Sequence, residues 1–271
     1  MSGRELGPRP QPLPKGEWLV SYSLRAPVFF LTTGFFGSLA LIASLFDKGG
    51  KLQHAIAQRW GRAVVAISGA KLTVLNSERL DEGVAVYASN HLSYMDTPVI
   101  FGAMPFQFRI VARHELFKLP FIGWYLRRSG QLAVNVTNPR ASIASLGAGV
   151  KTLRAGMPLF IFPEGGRTTS GHLETLLNGP AFMAIRAQVP IVPIALIGTY
   201  ELLPIHTVEF HPVPMKLVVG EPIATTGYSI KQVDELTAAL GEAIARLYYQ
   251  HSYLEAPANP RLEAITVEGE K

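Results

Sequence analysis

The chain has 271 residues, 48% of them apolar and 17% charged, with 25 Lys+Arg against 20 Asp+Glu for a formal net charge of +5. That length suffices for a large buried core, and sparse charge with a basic excess favours contact with an anionic lipid surface or anionic substrates. Cysteine is absent, which excludes disulfides, thiol nucleophiles and Cys-ligated zinc or iron–sulfur centres.

Residues 1–20 hold Pro8, Pro10, Pro12 and Pro14, whose missing amide donors and fixed φ oppose a continuous helix or strand, so the stretch reads as a flexible tail. From Ala26 to Phe46 no side chain is charged, and the run is long enough to span a bilayer core. Pro27, Gly34, Gly37 and several hydroxyl residues dilute it, so a half-buried helix lying in the interface fits as well. The run begins late and is too long for a signal-peptide core, and the charges on its two sides leave its orientation open. Leu52, Ile56, Trp60, Val64 and Ile67 recur at helical spacing, with Gln53, Gln58, Arg59 and Arg62 around the rest of the wheel. With Lys48-Gly49-Gly50 as the turn, residues 21–70 are expected to form a membrane-associated helical hairpin ahead of the catalytic body.

From Lys71 onward, short β-branched runs alternate with helical patterns. Strands are expected at Lys71–Asn76, Val84–Ser89, Phe108–Ala112, Gln131–Val136, Pro158–Phe162, Ile191–Ile197 and Met215–Gly220. Several are apolar without alternation, as strands buried on both faces are, and crossover helices fit at 95–103, 140–154 and 178–188. The fold class is therefore α/β. A last helix at Ser229–Gln250, with an apolar stripe through Val233, Leu236, Leu240, Ile244 and Leu247, closes one sheet face. The body ends near residue 255, and 256–271 read as a frayed tail.

Three strand ends carry chemistry. After Val84–Ser89 comes Asn90-His91-Leu92-Ser93-Tyr94-Met95-Asp96. Five residues of regular helix leave two side chains about 140° apart, so His91 and Asp96 meet only if His91 precedes the first full turn. Placed so, Asp96 takes the Nδ1 proton and leaves Nε2 as a general base for a substrate hydroxyl attacking an activated acyl group. The bland alternative is a helix start capped by Asn90 or Ser89, with His91 as a polar turn residue. After Pro158–Phe162 come Pro163-Glu164-Gly165-Gly166-Arg167, where glycines let amides approach an anion and Arg167 offers a fork for phosphate. A tight turn with a Glu164–Arg167 surface pair fits equally. The third segment, Val111–Trp124, suits a phosphate clamp, a membrane-facing loop, or a helix start with Leu116, Phe117 and Trp124 packed inward. No metal-ligand spacing is present, and G-x-S-x-G, P-loop and G-x-G-x-x-G motifs are missing.

In this order, the blocks resemble the glycerolipid acyltransferase family typified by bacterial 1-acyl-glycerol-3-phosphate acyltransferase, from about Trp60 to Leu247. Asn90-His91-x4-Asp96 is similar to its N-H-x4-D block, and Phe162-Pro163-Glu164-Gly165-Gly166-Arg167-Thr168 to its F-P-E-G-T-R-S block. Val111–Trp124, Val189–Ile194 and Gly220-Glu221-Pro222-Ile223 follow further family segments. The resemblance implies a mixed, mostly parallel sheet flanked by helices, with an N-terminal helical pair docked on a membrane, at its cytoplasmic face. It implies His91 as general base and Asp96 as its orienting partner. Asn90, Arg113, Glu164, Gly165, Gly166 and Arg167 become substrate-binding residues, Arg113 standing at a phosphate-binding Lys position. The implied reaction moves a fatty acyl group from acyl-CoA or acyl-carrier protein to a lysophospholipid hydroxyl, most simply 1-acyl-glycerol-3-phosphate, without metal, cofactor or nucleic acid.

Two positions depart from the family. Val136 stands where the second block carries an Arg associated with the acceptor phosphate, so Arg127, Arg128 or Arg140 substitutes for it or the acceptor is another lysolipid. Gly166 replaces a Thr. A lipid-binding protein without turnover, or a hydrolase in which His91 activates water, are the alternatives on the same residues.

Overall fold

The computed structural model describes residues 13–47, 49–81, 83–135, 139–168, 170–252 and 254. Residues 1–12 of the tail expected over 1–20, the expected tail at 256–271, Val136 and the Arg140 side chain lie outside the described residues. In chain order the elements are α1 (Lys15–Val20), a π-helical turn at Ser21–Arg25, α2 (Ala26–Ala43), α3 (Lys51–Ile67), β1 (Leu72–Leu75), β2 (Val86–Ser89), α4 (Asp96–Ala103), β3 (Arg109–Arg113) and α5 (Ile122–Arg128). They continue with β4 (Leu132–Val134), α6 (Pro139–Arg154), β5 (Leu159–Ile161), α7 (Gly179–Ala187), β6 (Ile191–Ile197), α8 (Thr199–Leu202), β7 (Met215–Val219) and α9 (Val233–His251). Each of the seven expected strands is found: β6 keeps its expected bounds, β3 is shifted by one residue, and the others are trimmed by one or two residues at one or both ends.

The seven strands form one sheet in the order β1-β7-β6-β2-β5-β3-β4, parallel throughout except where β6 meets β7. Helices cover both faces because alternate side chains of the central strands are apolar on both. Tyr87 and Phe160 pack with the α3 and α4 residues Val64, Val99 and Phe101, whereas Val86, Ala88, Leu159 and Ile161 pack with α6, α7 and α9. The parallel strands β2, β5, β3 and β6 thus end along one edge, where ligands collect in such sheets.

Two expectations change at the N-terminal end. The helix starts at Lys15, just after the last proline of the run, because Pro14 at the N-cap loses no helical bond. Together α1, the π turn and α2 make a 29-residue helical stretch, Lys15–Ala43, long and apolar enough to cross a membrane. It is nevertheless fastened to the body along its length. Ser21 Oγ donates to the Val208 carbonyl (3.2 Å) and accepts from the Phe210 amide (2.7 Å), and Trp60 Nε1 donates to Thr33 Oγ1 at 3.1 Å. The second change concerns α3, whose buried face is rotated from the expected stripe: Leu52 is half-exposed, whereas Gln53, His54 and Gly61 are buried. A Cβ on Gly61 would lie 2.4 Å from the Pro98 carbonyl and 2.6 Å from the Gly102 amide, so this glycine lets α3 and α4 meet backbone to backbone. The strand-to-helix segment after β3 also differs from inward packing, since Leu116 and Trp124 stand exposed.

Candidate active site

β2 ends at Ser89, and α4 does not begin until Asp96, so His91 sits in the intervening turn as the spacing requires. His91 Nδ1 lies 2.8 Å from Asp96 Oδ2. The same oxygen accepts the Leu92 and Ser93 amides at 2.7 and 2.8 Å. Three donors on one fully buried carboxylate oxygen fix it in place and make Nδ1 the donor, which leaves Nε2 as an acceptor. The ring is further held by Phe162, stacked at 3.9 Å between centroids and 13° between planes. Burial pushes the His91 pKa down, opposed by the hydrogen bond and charge of Asp96, so the imidazole is a neutral base at neutral pH.

Asn90 spends its side chain inside the fold. It is fully buried, with Nδ2 on the Leu196 carbonyl (2.9 Å) and Oδ1 taking the Leu196 amide (2.8 Å). Its amide bridges the end of β2 to β6 and so fixes where the His91 turn begins.

Glu164 follows β5, the strand next to β2, and its Oε1 accepts the His91 amide at 3.3 Å. The two sequence blocks, 73 residues apart, therefore join through the backbone of His91. Glu164 Oε2 is buried without a hydrogen-bond partner among the described residues. Burial, reinforced by Asp96 and Glu174, pushes the Glu164 pKa up to about 8, so the group is largely protonated at pH 7. Arg167 donates Nε to the Ser93 carbonyl at 3.1 Å and lies over the Tyr94 ring, 4.6 Å from its centroid. Its terminal nitrogens have no hydrogen-bond partner among the described residues, and the residue is exposed. The expected Glu164–Arg167 surface pair is not formed.

The two glycines differ. Gly165 has φ +71°, and a Cβ there would come within 2.9 Å of Leu177 Cδ1, but its amide is taken by the Phe162 carbonyl at 3.3 Å and is not offered to an anion. A Cβ on Gly166 would meet nothing within 4 Å, so the backbone there does not demand a glycine. Arg113 closes β3 on the same sheet edge, half-exposed, with Nε and Nη2 each 3.3 Å from Glu115. Arg127 and Arg128 belong to a different region. They end α5, which leads into the start of β4, the sheet edge opposite His91, and Arg127 donates to the Phe117 carbonyl. Sequence reasoning missed Ser93, Tyr94 and Phe162 as parts of the site. Their signal was position alone, inside or directly before a block already singled out.

A family profile described as Acyltransferase matches residues 71–197. The chain is 28% identical over 202 residues to a chloroplastic 1-acyl-sn-glycerol-3-phosphate acyltransferase of Arabidopsis thaliana, covering 70% of this chain and 56% of that one. It is 29% identical over 225 residues to the enzyme of that name from Chlamydomonas reinhardtii, covering 80% of this chain and 66% of the other. It thus spans between about half and two thirds of the length of these relatives. Among solved structures, the fold is similar to that of the 1-acyl-sn-glycerophosphate acyltransferase PlsC from Thermotoga maritima, with a TM-score of 0.69 and 24% identity over 83% of this chain and 93% of that one. The profile, these relatives and the shared fold converge: over residues 71–197 the chain is similar to acyltransferases, and its sheet and helices follow the fold of that solved structure.

Proposed function

We propose that the protein is a membrane-associated acyltransferase that moves a fatty acyl group from acyl-CoA or acyl-carrier protein to the free hydroxyl of a lysophospholipid, first of all 1-acyl-glycerol-3-phosphate, yielding phosphatidic acid. One observation carries the reading: His91 donates Nδ1–H to a carboxylate oxygen already held by two amides, which leaves Nε2 to take a proton. Nε2 removes the acceptor's hydroxyl proton as that oxygen attacks the thioester carbonyl carbon. The C–S bond breaks as the tetrahedral adduct collapses, and the imidazolium returns the proton to the departing thiolate. Asp96 steadies the imidazolium between the two steps, so no acyl-enzyme is needed. Arg167, with open terminal nitrogens over the Tyr94 ring, and Arg113 on the same sheet edge are the cations available to an acceptor phosphate. Glu164 acts mainly through the His91 backbone. We place the work at the cytoplasmic face of a membrane, reached through the apolar helix Lys15–Ala43.

The test is labelled acyl-CoA and acyl-carrier protein supplied with a panel of lysolipids in micelles, with His91→Ala alongside. Diacyl product that vanishes in the variant is expected. Undiminished product in His91→Ala, release of free fatty acid independent of acceptor, or lysolipid binding without donor consumption would each overturn the reading.

A further inference from the structure

A second apolar surface, separate from the His91 site, adjoins the N-terminal helix. The end of the β3–α5 connection and the first turn of α5 expose Phe121 (66%), Trp124 (47%), Leu119 and Ile122. Exposed clusters of this kind mark lipid or protein contacts when they are contiguous. The backbone is built to present them. Phe121 has φ +59°, a left-handed value that bulky residues avoid, and a Cβ on Gly123 would lie 2.2 Å from the Phe117 carbonyl, so the turn closes tightly and points its large rings outward. From Leu116 to Arg128 the chain carries Lys118, Arg127 and Arg128 and no acidic residue. This cluster continues onto α2: a groove of about 460 Å³ is lined by Leu41, Leu45, Trp124, Arg127 and Arg128. Elsewhere on α2 Leu31 stands open to solvent, and beyond the helix end so does Phe46, 73% and 80% exposed.

We infer that the 116–128 segment is a second membrane contact which, with α2, seats the protein on a bilayer surface and takes an anionic phospholipid headgroup between Arg127 and Arg128. Three features select this occupant. Apolar side chains and guanidinium groups share one groove, as an acyl chain and its phosphate do. The charge of the segment has one sign. The fastenings of Ser21 and Thr33 to the body keep the helix alongside the domain, so its free apolar side and that of α5 form one surface lying in the interface. The inference deepens the membrane association proposed above and rests on it, but it does not depend on turnover.

The experiment is partition of the full chain onto vesicles of pure phosphatidylcholine and of phosphatidylcholine with phosphatidylglycerol, in a His91→Ala background so that no reaction intrudes. Arg127→Gln/Arg128→Gln is expected to weaken binding about fivefold per arginine on the anionic vesicles and leave the neutral ones unchanged. Phe121→Ser/Trp124→Ser weakens binding to both. Since Arg127 also braces the Phe117 carbonyl, Arg127→Lys/Arg128→Lys serves as the charge-preserving control and restores anionic binding. Brominated lipids quench the fluorescence of the parent more than that of Trp124→Phe. Anionic binding within twofold of the parent in both double variants, with Leu31→Ser alone releasing the protein, overturns the inference. So does binding of soluble acyl-carrier protein, rather than vesicles, that is lost in Arg127→Gln/Arg128→Gln.

Discussion

His54, between α3 and the Phe106 carbonyl, and His91, at the end of β2, are both buried imidazoles whose pKa burial pushes down, that of His54 to about 4. Their surroundings differ in what meets each ring nitrogen. His54 Nε2 lies 3.0 Å from the Phe106 carbonyl and must donate to it, while Nδ1 is buried with no hydrogen-bond partner among the described residues. The ring packs against Phe101 and Phe108, centroids 5.6 and 4.9 Å away, and Arg109 further disfavours its charged form. His91 donates to a carboxylate instead of a carbonyl, so a proton arriving at Nε2 meets a negative charge. Its side chain keeps 12% exposure, enough for a substrate atom to reach it. A buried histidine becomes a base through the partner on its other nitrogen and an open route to the free one.

The largest expected effect separates the two residues. His91→Ala lowers acyl transfer by about 10²–10⁴-fold, the usual range for losing a general base, whereas His54→Gln, which can still donate to the Phe106 carbonyl, leaves kcat within about twofold. Steady-state rates in micelles, with circular dichroism as the folding control, check both. Asp96→Asn removes the counter-charge but keeps an acceptor for the Leu92 and Ser93 amides, so a drop of about 10²-fold in kcat with near-native melting is expected. Equal losses in folding and rate would instead make Asp96 a purely structural cap.

Stability against pH sharpens the comparison, because burial acts with opposite signs on a base and an acid. His54 has its folded pKa lowered from the ordinary 6.5, so its contribution is complete above pH 6.5 and is lost as pH falls toward 4, by at most about 3 kcal/mol. Glu164 has its folded pKa raised to about 8, so its contribution is complete below the ordinary 4.5 and is lost as pH rises toward 8. Melting temperatures of His54→Gln and Glu164→Gln against the parent, from pH 4 to 8.5, should converge at opposite ends of that range. A flat difference for either variant removes the corresponding titration. The smallest effect lies in the adjacent glycines: Gly165→Ala costs about 1–2 kcal/mol through its left-handed backbone, and Gly166→Ala stays within about 0.5 kcal/mol, as urea unfolding will measure.

The strands were legible because each is a short apolar run between turn residues, and β6, buried at every position, matches its expected bounds residue for residue. The His91–Asp96 contact was legible as one of two readings, because the spacing lets the side chains meet only if His91 lies in a turn before the helix, where the structure places it. Other assignments needed the fold. Asn90 looks like a site residue by its neighbour, yet its amide is consumed by a strand 106 residues away. Leu52 looks like core by its period, but the close approach at Gly61 turns α3 so that Gln53 and His54 face inward, where Gln58 and Gln53 donate to the Met104 and Arg128 carbonyls. Periodicity reports which face is apolar on average and not which backbone carbonyls wait across the contact.

By itself, then, the sequence determined the α/β class, the positions of the strands, the order of the blocks and the pairing of His91 with Asp96. These follow from local patterning and from spacing along a single strand-to-helix connection. Only the tertiary structure decided that Glu164 grips the backbone of His91, that Phe162 stacks on its ring, that Arg167 rather than Arg127 or Arg128 stands at the site, and that Phe121 and Trp124 join α2 in one exposed surface. Each of those depends on which strands are neighbours and which edge of the sheet a loop emerges from, and neither quantity is encoded in the separation of residues along the chain.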